Sequence, residues 1–465
     1  MTSPDQSRSR ANTHLLSKTT YMRGHQCAKS LSLYTHRREL MPPVSAAQQA
    51  VFDAGTGVGL LAQQLFPGGV DVRPQSARDF TESLARTAQA IADGATVLYE
   101  AAFVHDDVLV AVDILKRDGD SWHAYEVKGT GSVKPPHVED AALQYHVMVS
   151  AGLSVSDISI VHLNTSYVRA GALDLSRLFT VWSVFDRVQS VLHGVPDRIA
   201  ALKPVVLQSD EPIVEIGSHC NAPYPCAFKT YCWRDVPVAT RGPARVEPAP
   251  LREFLDALQY PLSFMDFESC SSSIPMFDGT WPFCQVPFQF SVHLQSARGA
   301  DATHVEFLAE GDTDPREAFI DALLRALPPT GDILVYYLPF ETARLRELAE
   351  AFPHHARAID GIIDRCKDLI VPFKKGWYYD PAMGTSNSIK AVLPALVPEL
   401  SYSGMAIADG EAASRQFVAM LTGTYEGDRA ALRTDLLAYC KLDTMAMVRI
   451  LGVLEERSGI VRSPA

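Results

Sequence analysis

The stretch TVLYEAAFVHDDVLVAVDILKRDGDSWHAYEVKG, residues 96–129, decides the first half of the chain. It contains three runs rich in β-branched and aromatic residues (96–104, 108–115 and 122–129), and KRDGD between the last two is a hairpin signal. Side chains alternate across a strand, so Glu126 and Lys128, two apart, share one face of the sheet. With the turn centred near Asp118, Asp113 falls diagonally across the hairpin from Glu126, close enough to share a cation. Two carboxylates to hold a hard divalent metal and a lysine to steady a water or a phosphate charge are what phosphodiester hydrolysis requires. The bare D…ExK pattern is short, and the solvent face of an ordinary hairpin also produces it.

Outward from the hairpin, a helix carrying Cys27 is expected over 14–40, a second from about Val58 to Leu65, ending at Pro67–Gly69, and a third over 76–92. Downstream come a helix over 138–151 with Gln144 and Tyr145, the buried-looking strand DISIVHLN, and three cysteines between Cys220 and Cys232. VPVATRGPARVEPAP, residues 236–250, is rich in proline and small residues with no hydrophobic period, and reads as a linker. The pattern then restarts: strands LSFMDFES and FQFSVHL, a helix over 315–327, strand DILVYY, a helix over 341–351 and a terminal helix over 429–456. Strands alternate with helices on both sides, so two α/β domains are expected, 1–235 and 251–465, joined by 236–250.

A chain of 465 residues, 47% hydrophobic and 21% charged, has material for two or three buried cores. No run of eighteen apolar residues occurs, so no membrane span is expected. The net charge of −12 argues against coating nucleic acid by bulk charge, yet metal-binding carboxylates would themselves make the count acidic. Residues 1–53 reverse the sign, with Arg8, Arg10, Lys18, Arg23, Lys29, Arg37 and Arg38 against Asp5, Glu39 and Asp53. That excess suits either a phosphate backbone or a solvated helix face. With no secretory core at the start, a cytoplasmic location is expected, and the eight cysteines should be reduced or metal-bound.

The order of helix, strand with Glu100, strand with Asp113, strand with Glu126 and Lys128, then helix with Gln144 resembles the PD-(D/E)XK nucleases of the RecB type. There a glutamine and a tyrosine on the following helix assist the site, usually as QxxxY; Tyr145 directly follows Gln144 here, which departs from that spacing. Cys220, Cys226 and Cys232 have five residues between neighbours, without the CxxC pairs of a zinc ribbon. A fourth ligand is Cys27 in RGHQCAKSL. One early cysteine plus three after the nuclease core resembles the iron–sulfur nucleases related to RecB and AddB, including the CRISPR-associated enzymes that trim spacers. The resemblance implies a 4Fe-4S cluster on these four thiolates; a zinc site or four unconnected thiols remain the alternatives.

In the second half, Asp266 and Glu268 in FMDFES emerge on one strand face, Glu341 follows strand DILVYY, and Tyr439 and Asp443 share a helix face at i, i+4. DxE, a later acid and YxxxD resemble the tyrosine type of DnaQ-like 3′–5′ exonucleases, an RNase H-type fold. In these, four acids hold two Mg2+ or Mn2+ ions and the tyrosine orients water. The second motif there usually offers aspartate, often after HNxxF; YYLPFE offers Glu341. The segments MDFES, IPMFDGTWPFCQVPFQFSVHL, SIKAVLPAL and YCKLDT resemble a bacterial family of DnaQ-like domains fused behind RecB-like iron–sulfur domains.

The resemblance implies hydrolysis of nucleic acid at two separate sites, with single-stranded DNA ends the leading substrate and RNA the other. A nucleic-acid-binding scaffold with a decayed exonuclease half is the alternative. KKGWYYDP offers either a stacking platform for single strands or packed core aromatics. Asp368 is placed outside the catalytic set, as a residue that braces the fold. VFDAGTGVGLLA imitates the glycine-rich loop of methyltransferases but lacks a preceding buried strand, so Gly55, Gly57 and Gly59 are expected at a helix-entry turn. Cys270, Cys284, Cys366 and Cys440 are expected to be core thiols.

Overall fold

The computed structural model describes residues 14–75, 80–237 and 239–460. The chain is mixed α/β and divides into two compact units. The first comprises Met1–Val236 with Ser273–Pro282, the second Pro237–Ser272 with Phe283–Ala465.

In the first unit, β1 (Leu16–Ser17) leads into α1 (Lys18–Gln26), α2 (Ala28–His36) and α3 (Ala46–Gln63), followed by β2 (Val70–Asp71) and α4 (Thr81–Ala92). The sheet is completed by β3 (Val97–His105), β4 (Val108–Asp118), β5 (Ser121–Lys128), β6 (Val155–Leu163) and β7 (Phe179–Ser183). Helix α5 (Pro135–Ser150) crosses between the parallel strands β5 and β6, and α6 (Phe185–Leu192) and α7 (Val195–Leu207) follow β7. Strand order is β2-β3-β4-β5-β6-β7, with β1 pairing β4. Apolar residues of β3, β4, β5 and β6 meet α5 in one buried cluster that includes Leu98, Val112, Leu143 and Ile160.

Strand β4 changes partner along its length. Val108 and Leu109 pair with β1, whereas Ile114 to Asp118 pair with β5, and Asp113 stands at the changeover. The register sets Ile114 against Tyr125, so Asp113 lies level with Glu126 rather than diagonal to it. The turn is Gly119–Asp120, one residue later than its expected centre, and this slides the pairing.

Other sequence expectations shift here too. The helix expected over 14–40 breaks at Cys27, whose backbone is extended (φ −163°, ψ 116°) between α1 and α2. Gly55, Gly57 and Gly59 lie inside α3, which starts twelve residues before Val58, capped by Ser45. Of the helix expected over 76–92, residues 76–79 lie outside the described residues and the helix proper is α4.

In the second unit, β8 (Arg245–Val246) and α8 (Pro248–Asp256) precede β9 (Leu262–Ser271), β10 (Gln285–Gln295), β11 (Thr303–Leu308), α9 (Arg316–Ala326) and β12 (Ile333–Val335). Then come α10 (Leu338–Ala351), β13 (Cys366–Asp368), β14 (Tyr378–Tyr379), α11 (Ile389–Leu396), α12 (Gly410–Leu421) and the long α13 (Arg429–Arg457). The five-stranded sheet runs β11-β10-β9-β12-β13, antiparallel on the β10 side of β9 and parallel on the β12 side. The expected linker 236–250 is partly structured: Arg245 and Val246 pair with β14, and Pro248 opens α8, where its missing N–H costs nothing. Among the described residues no helix is long and apolar enough to cross a membrane.

Candidate functional sites

The changeover in β4 leaves a gap in the ladder, and charged side chains fill it. The Asp113 carboxylate accepts the Val127 N–H at 2.6 Å, a bond the β4 backbone would otherwise make. Opposite it in β3, Glu100 has φ +60°, a left-handed conformation that costs a non-glycine residue about 1–2 kcal/mol. The Glu126 side chain, buried, accepts from Lys128 Nζ at 2.6 Å, Lys18 Nζ at 2.7 Å and Gln144 Nε2 at 2.8 Å. Lys128 also meets Asp140 at 2.6 Å, and Gln144 Nε2 reaches Asp140 at 3.0 Å. Gln144 Oε1 is buried with no hydrogen-bond partner among the described residues.

These contacts polarise the cluster. Burial pushes the Asp113 carboxyl up to about 8, with the Glu126 charge adding to it. Burial acts on Glu126 too, but Lys128 and Lys18 overcome it and hold that carboxyl well below the carboxylate range. Burial raises Glu100, opposed by Arg73 and Lys18. The structure thus assembles Glu100, Asp113, Glu126, Lys128 and Gln144 around one point. It adds Lys18 and Asp140, which the sequence reading missed. Asp140 had a signal, being one helical turn before Gln144 on α5; Lys18, 108 residues from Glu126, had none. Tyr145 packs on Phe185 with ring centroids 5.6 Å apart.

Cys27, Cys220, Cys226 and Cys232 line one small cavity. The break at Cys27 turns its sulfur toward the Lys29 and Ser30 N–H groups at the start of α2. Gln26 Nε2 donates to the carbonyls of His219 (2.7 Å) and Tyr224 (2.8 Å), fastening the end of α1 to the cysteine loop 193 residues later. Within the loop, Cys226 N–H bonds the Cys220 carbonyl at 2.9 Å. Burial raises the Cys27 and Cys232 thiols, and the neighbouring cysteines add to it. Among the described residues, no three of these sulfurs lie within 4.8 Å of one another. A zinc tetrahedron with bonds of about 2.3 Å sets sulfurs ~3.8 Å apart. Four thiols lining one cavity are a donor set that a metal ion or an iron–sulfur cluster could use.

In the second unit, β9 presents Asp266 and Glu268 beside α13, and α10 brings Glu341 to them. Glu341 is 2% exposed, and its Oε2 has no hydrogen-bond partner among the described residues. Burial and their mutual repulsion raise Asp266, Glu268 and Glu341 well above the carboxylate range. Asp443 on α13 is pushed up to about 6 by burial, held back by hydrogen bonds from the Tyr402 and Tyr439 hydroxyls and by Lys390. Lys390 Nζ lies 5.8 Å from both tyrosine ring centres. Tyr439 is 3% exposed and senses Asp443, Glu268 and Asp266. Its phenol therefore belongs to the acid cluster. A Cβ on Gly410, the first residue of α12, would sit 3.0 Å from Glu268 Oε2, so a side chain there would push that carboxylate by a few tenths of an ångström.

Cys440, expected as a core thiol, is buried but faces this centre. Its sulfur lies 3.8 Å from an Asp266 carboxylate oxygen, and Asp266, Glu268 and Cys440 offer ligand atoms within 4.8 Å of one another. Its signal was its place three residues before Asp443 on the same helix. Asp368 braces the turn into α10 by accepting N–H bonds from Tyr337, Leu338 and Ile370 at 3.0–3.1 Å. Of KKGWYYDP, Tyr378 and Tyr379 are buried in the core, which removes them as a stacking platform.

Three buried acids and the half-buried Asp266, with one lysine nearby, offer hard oxygen donors of the kind that could hold Mg2+ or Mn2+. Residues 263–388 match the family described as Domain of unknown function (DUF2779). That span contains Asp266, Glu268 and Glu341 but stops before Tyr439 and Asp443. An uncharacterised protein of Ureaplasma parvum, UU173, is 25% identical over 211 residues, covering 40% of this chain and 30% of that protein.

Proposed function

We propose that the chain is a metal-dependent nuclease with two separate centres, a PD-(D/E)XK site of the RecB type in the first unit and a DnaQ-like exonuclease site in the second. The observation that carries this is the convergence of Asp266, Glu268, Glu341 and Asp443 from three distant segments, with Glu341 Oε2 buried and without a partner among the described residues. Divalent ions held there would act as Lewis acids on the phosphate and lower the pKa of a bound water. The Tyr439 hydroxyl, beside Asp443, would orient that water. In the first unit, Asp113 and Glu126 would hold the ion. Lys128, braced by Glu126 and Asp140, steadies the attacking water or the phosphate charge. Cys27, Cys220, Cys226 and Cys232 would hold a 4Fe-4S cluster that ties the start of this unit to its end.

Mn2+-dependent digestion of end-labelled single strands, DNA and RNA in parallel, tests the reading. We expect cleavage that Asp266→Asn and Lys128→Ala each remove in part. Tight binding with no cleavage in any metal would instead select the scaffold with a decayed exonuclease half. A brown anaerobic preparation containing iron is expected, and a colourless one without iron would remove the cluster.

A further inference from the structure

Of the basic excess near the start of the sequence, Lys18 joins the first centre, and the fold gathers Arg23 and Arg38 into a cleft. The cleft lies in the first unit, between the end of α1, α2, the segment entering α3 and the cysteine loop, with a volume of about 700 Å3. Arg23 and Arg38 lie over the Tyr34 ring, at 4.4 Å and 4.6 Å from its centre. Among the described residues no aspartate or glutamate lines the cleft, in a chain whose net charge is −12. Arg23 Nη1 has only the Ser30 hydroxyl at 3.3 Å, and its Nε is without a partner among the described residues. Phe52 and Tyr224, 51% and 53% exposed, add two accessible rings.

Uncompensated guanidiniums interleaved with aromatic faces suit a chain of phosphates and bases: the cations take the phosphates and the rings take the bases. Helix α1 links this cleft to the first centre, since it starts at Lys18, bonded to Glu126, and carries Arg23 about 8 Å further along its axis. We propose that the cleft binds single-stranded nucleic acid, with Arg23 and Arg38 on phosphates and Phe52 stacked on a base, and delivers the strand along α1 toward Lys18. This deepens the nuclease reading by naming how substrate is held, and it is testable without turnover.

The probe is a fluorescein-labelled oligothymidylate, followed by anisotropy on the full chain with no divalent ion added, across a salt series. Arg38→Gln should weaken binding about three- to tenfold and make the log–log salt slope shallower by about 0.7, one phosphate contact to a single strand. Phe52→Ala should weaken binding roughly five- to fiftyfold and leave the slope alone, because stacking releases no counterions. Unchanged circular dichroism and visible spectra show that each variant is folded. An unchanged slope in folded Arg38→Gln overturns the proposal. So does competition by thymidine monophosphate at the same concentration as the oligonucleotide, which would make the cleft a nucleotide pocket. Loss of cleavage in Asp266→Asn and Lys128→Ala with these binding effects intact keeps the cleft and tests catalysis separately.

Discussion

The two acid clusters solve the burial of negative charge in opposite ways. In the first unit, two lysines lie within 2.7 Å of Glu126, and Lys128 is shared with Asp140. In the second, Asp266, Glu268, Glu341 and Asp443 face one another with Lys390 the nearby lysine, and hydrogen bonds come from the Tyr402 and Tyr439 hydroxyls and the Cys440 thiol. The first cluster is therefore close to charge balance as it stands, whereas the second sets four acids against one nearby lysine. Carboxylates forced together in low dielectric either take up protons or recruit a metal. A lysine bound to them removes part of that need. Metal should thus matter to the second unit as a structural partner and to the first mainly for chemistry.

The largest expected effect separates the centres by activity. Asp266→Asn should lower the exonuclease activity by at least about a thousandfold, since it strips a metal ligand at a site where charge stabilisation dominates. Lys128→Ala should do the same to the other activity. End-labelled and circular single-stranded substrates distinguish the two, because an exonuclease needs an end. If either substitution alone removed all cleavage, the centres would be coupled or one of them inert, and the comparison would collapse.

Next comes Glu126→Gln. Removing the carboxylate leaves Lys18 and Lys128 with Asp140 and the weaker pull of Asp113, and Asp140 lies 3.9 Å from Lys18. Breaking a buried pair from one side costs about 3 kcal/mol, so the metal-free chain should lose stability in the first unit. Hydrogen exchange of β4 and β5 would show it. No change there would mean that the lysines are satisfied by water and that the first cluster is not charge-balanced from within.

Much of this contrast was legible in the sequence, and its limits have physical causes. The hairpin, the shared face of Glu126 and Lys128, and the i, i+4 pair Tyr439 and Asp443 follow from local periodicity. Local pattern does not carry register, so a turn one residue off put Asp113 diagonal to Glu126 when it is level with it. Nor does it carry long-range partners: Lys18 and Tyr402 reach their carboxylates across 108 and 41 residues. Cys27 was legible as a ligand candidate, but the helix break that aims it was not, because AKSLSLYTH continues a helical pattern with no proline or glycine to mark the stop. Cys440 reads in the sequence as a core thiol, although its spacing to Asp443 already places it on the site's edge.

Tyr439→Phe follows in size. The ring is 3% exposed and fills its space either way, so packing survives while the hydroxyl beside Asp443 goes. A fall of roughly ten- to a thousandfold in turnover is expected, in line with losing one positioned hydrogen-bonding group in a transition state. Tyr402→Phe removes the other hydroxyl on Asp443 and serves as its control. If Tyr402→Phe costs turnover and Tyr439→Phe does not, the water-orienting role passes to Tyr402. An unchanged rate in both returns the two phenols to packing and to the support of Asp443.

The smallest expected effect has the opposite sign to its counterpart in the first unit, which makes it the sharpest test of the contrast. Glu341→Gln keeps the shape of the side chain but removes a carboxylate that repels Asp266, Glu268 and Asp443 and whose Oε2 has no partner among the described residues. The amide that replaces it brings N–H donors to a site crowded with acceptors. In metal-free solution the variant should therefore be more stable than the parent by about 1–2 kcal/mol, whereas Glu126→Gln is less stable than the parent. Adding Mn2+ should reverse the order in the second unit. A ligand at a hundred times its dissociation constant stabilises the form that binds it by about 2.7 kcal/mol, and only the parent retains all four carboxylates. Hydrogen exchange of β9 and α13 with and without Mn2+ reads both terms. A Glu341→Gln chain that is less stable than the parent in both conditions would mean that Glu341 is a satisfied core acid, and that the second cluster, like the first, is balanced from within.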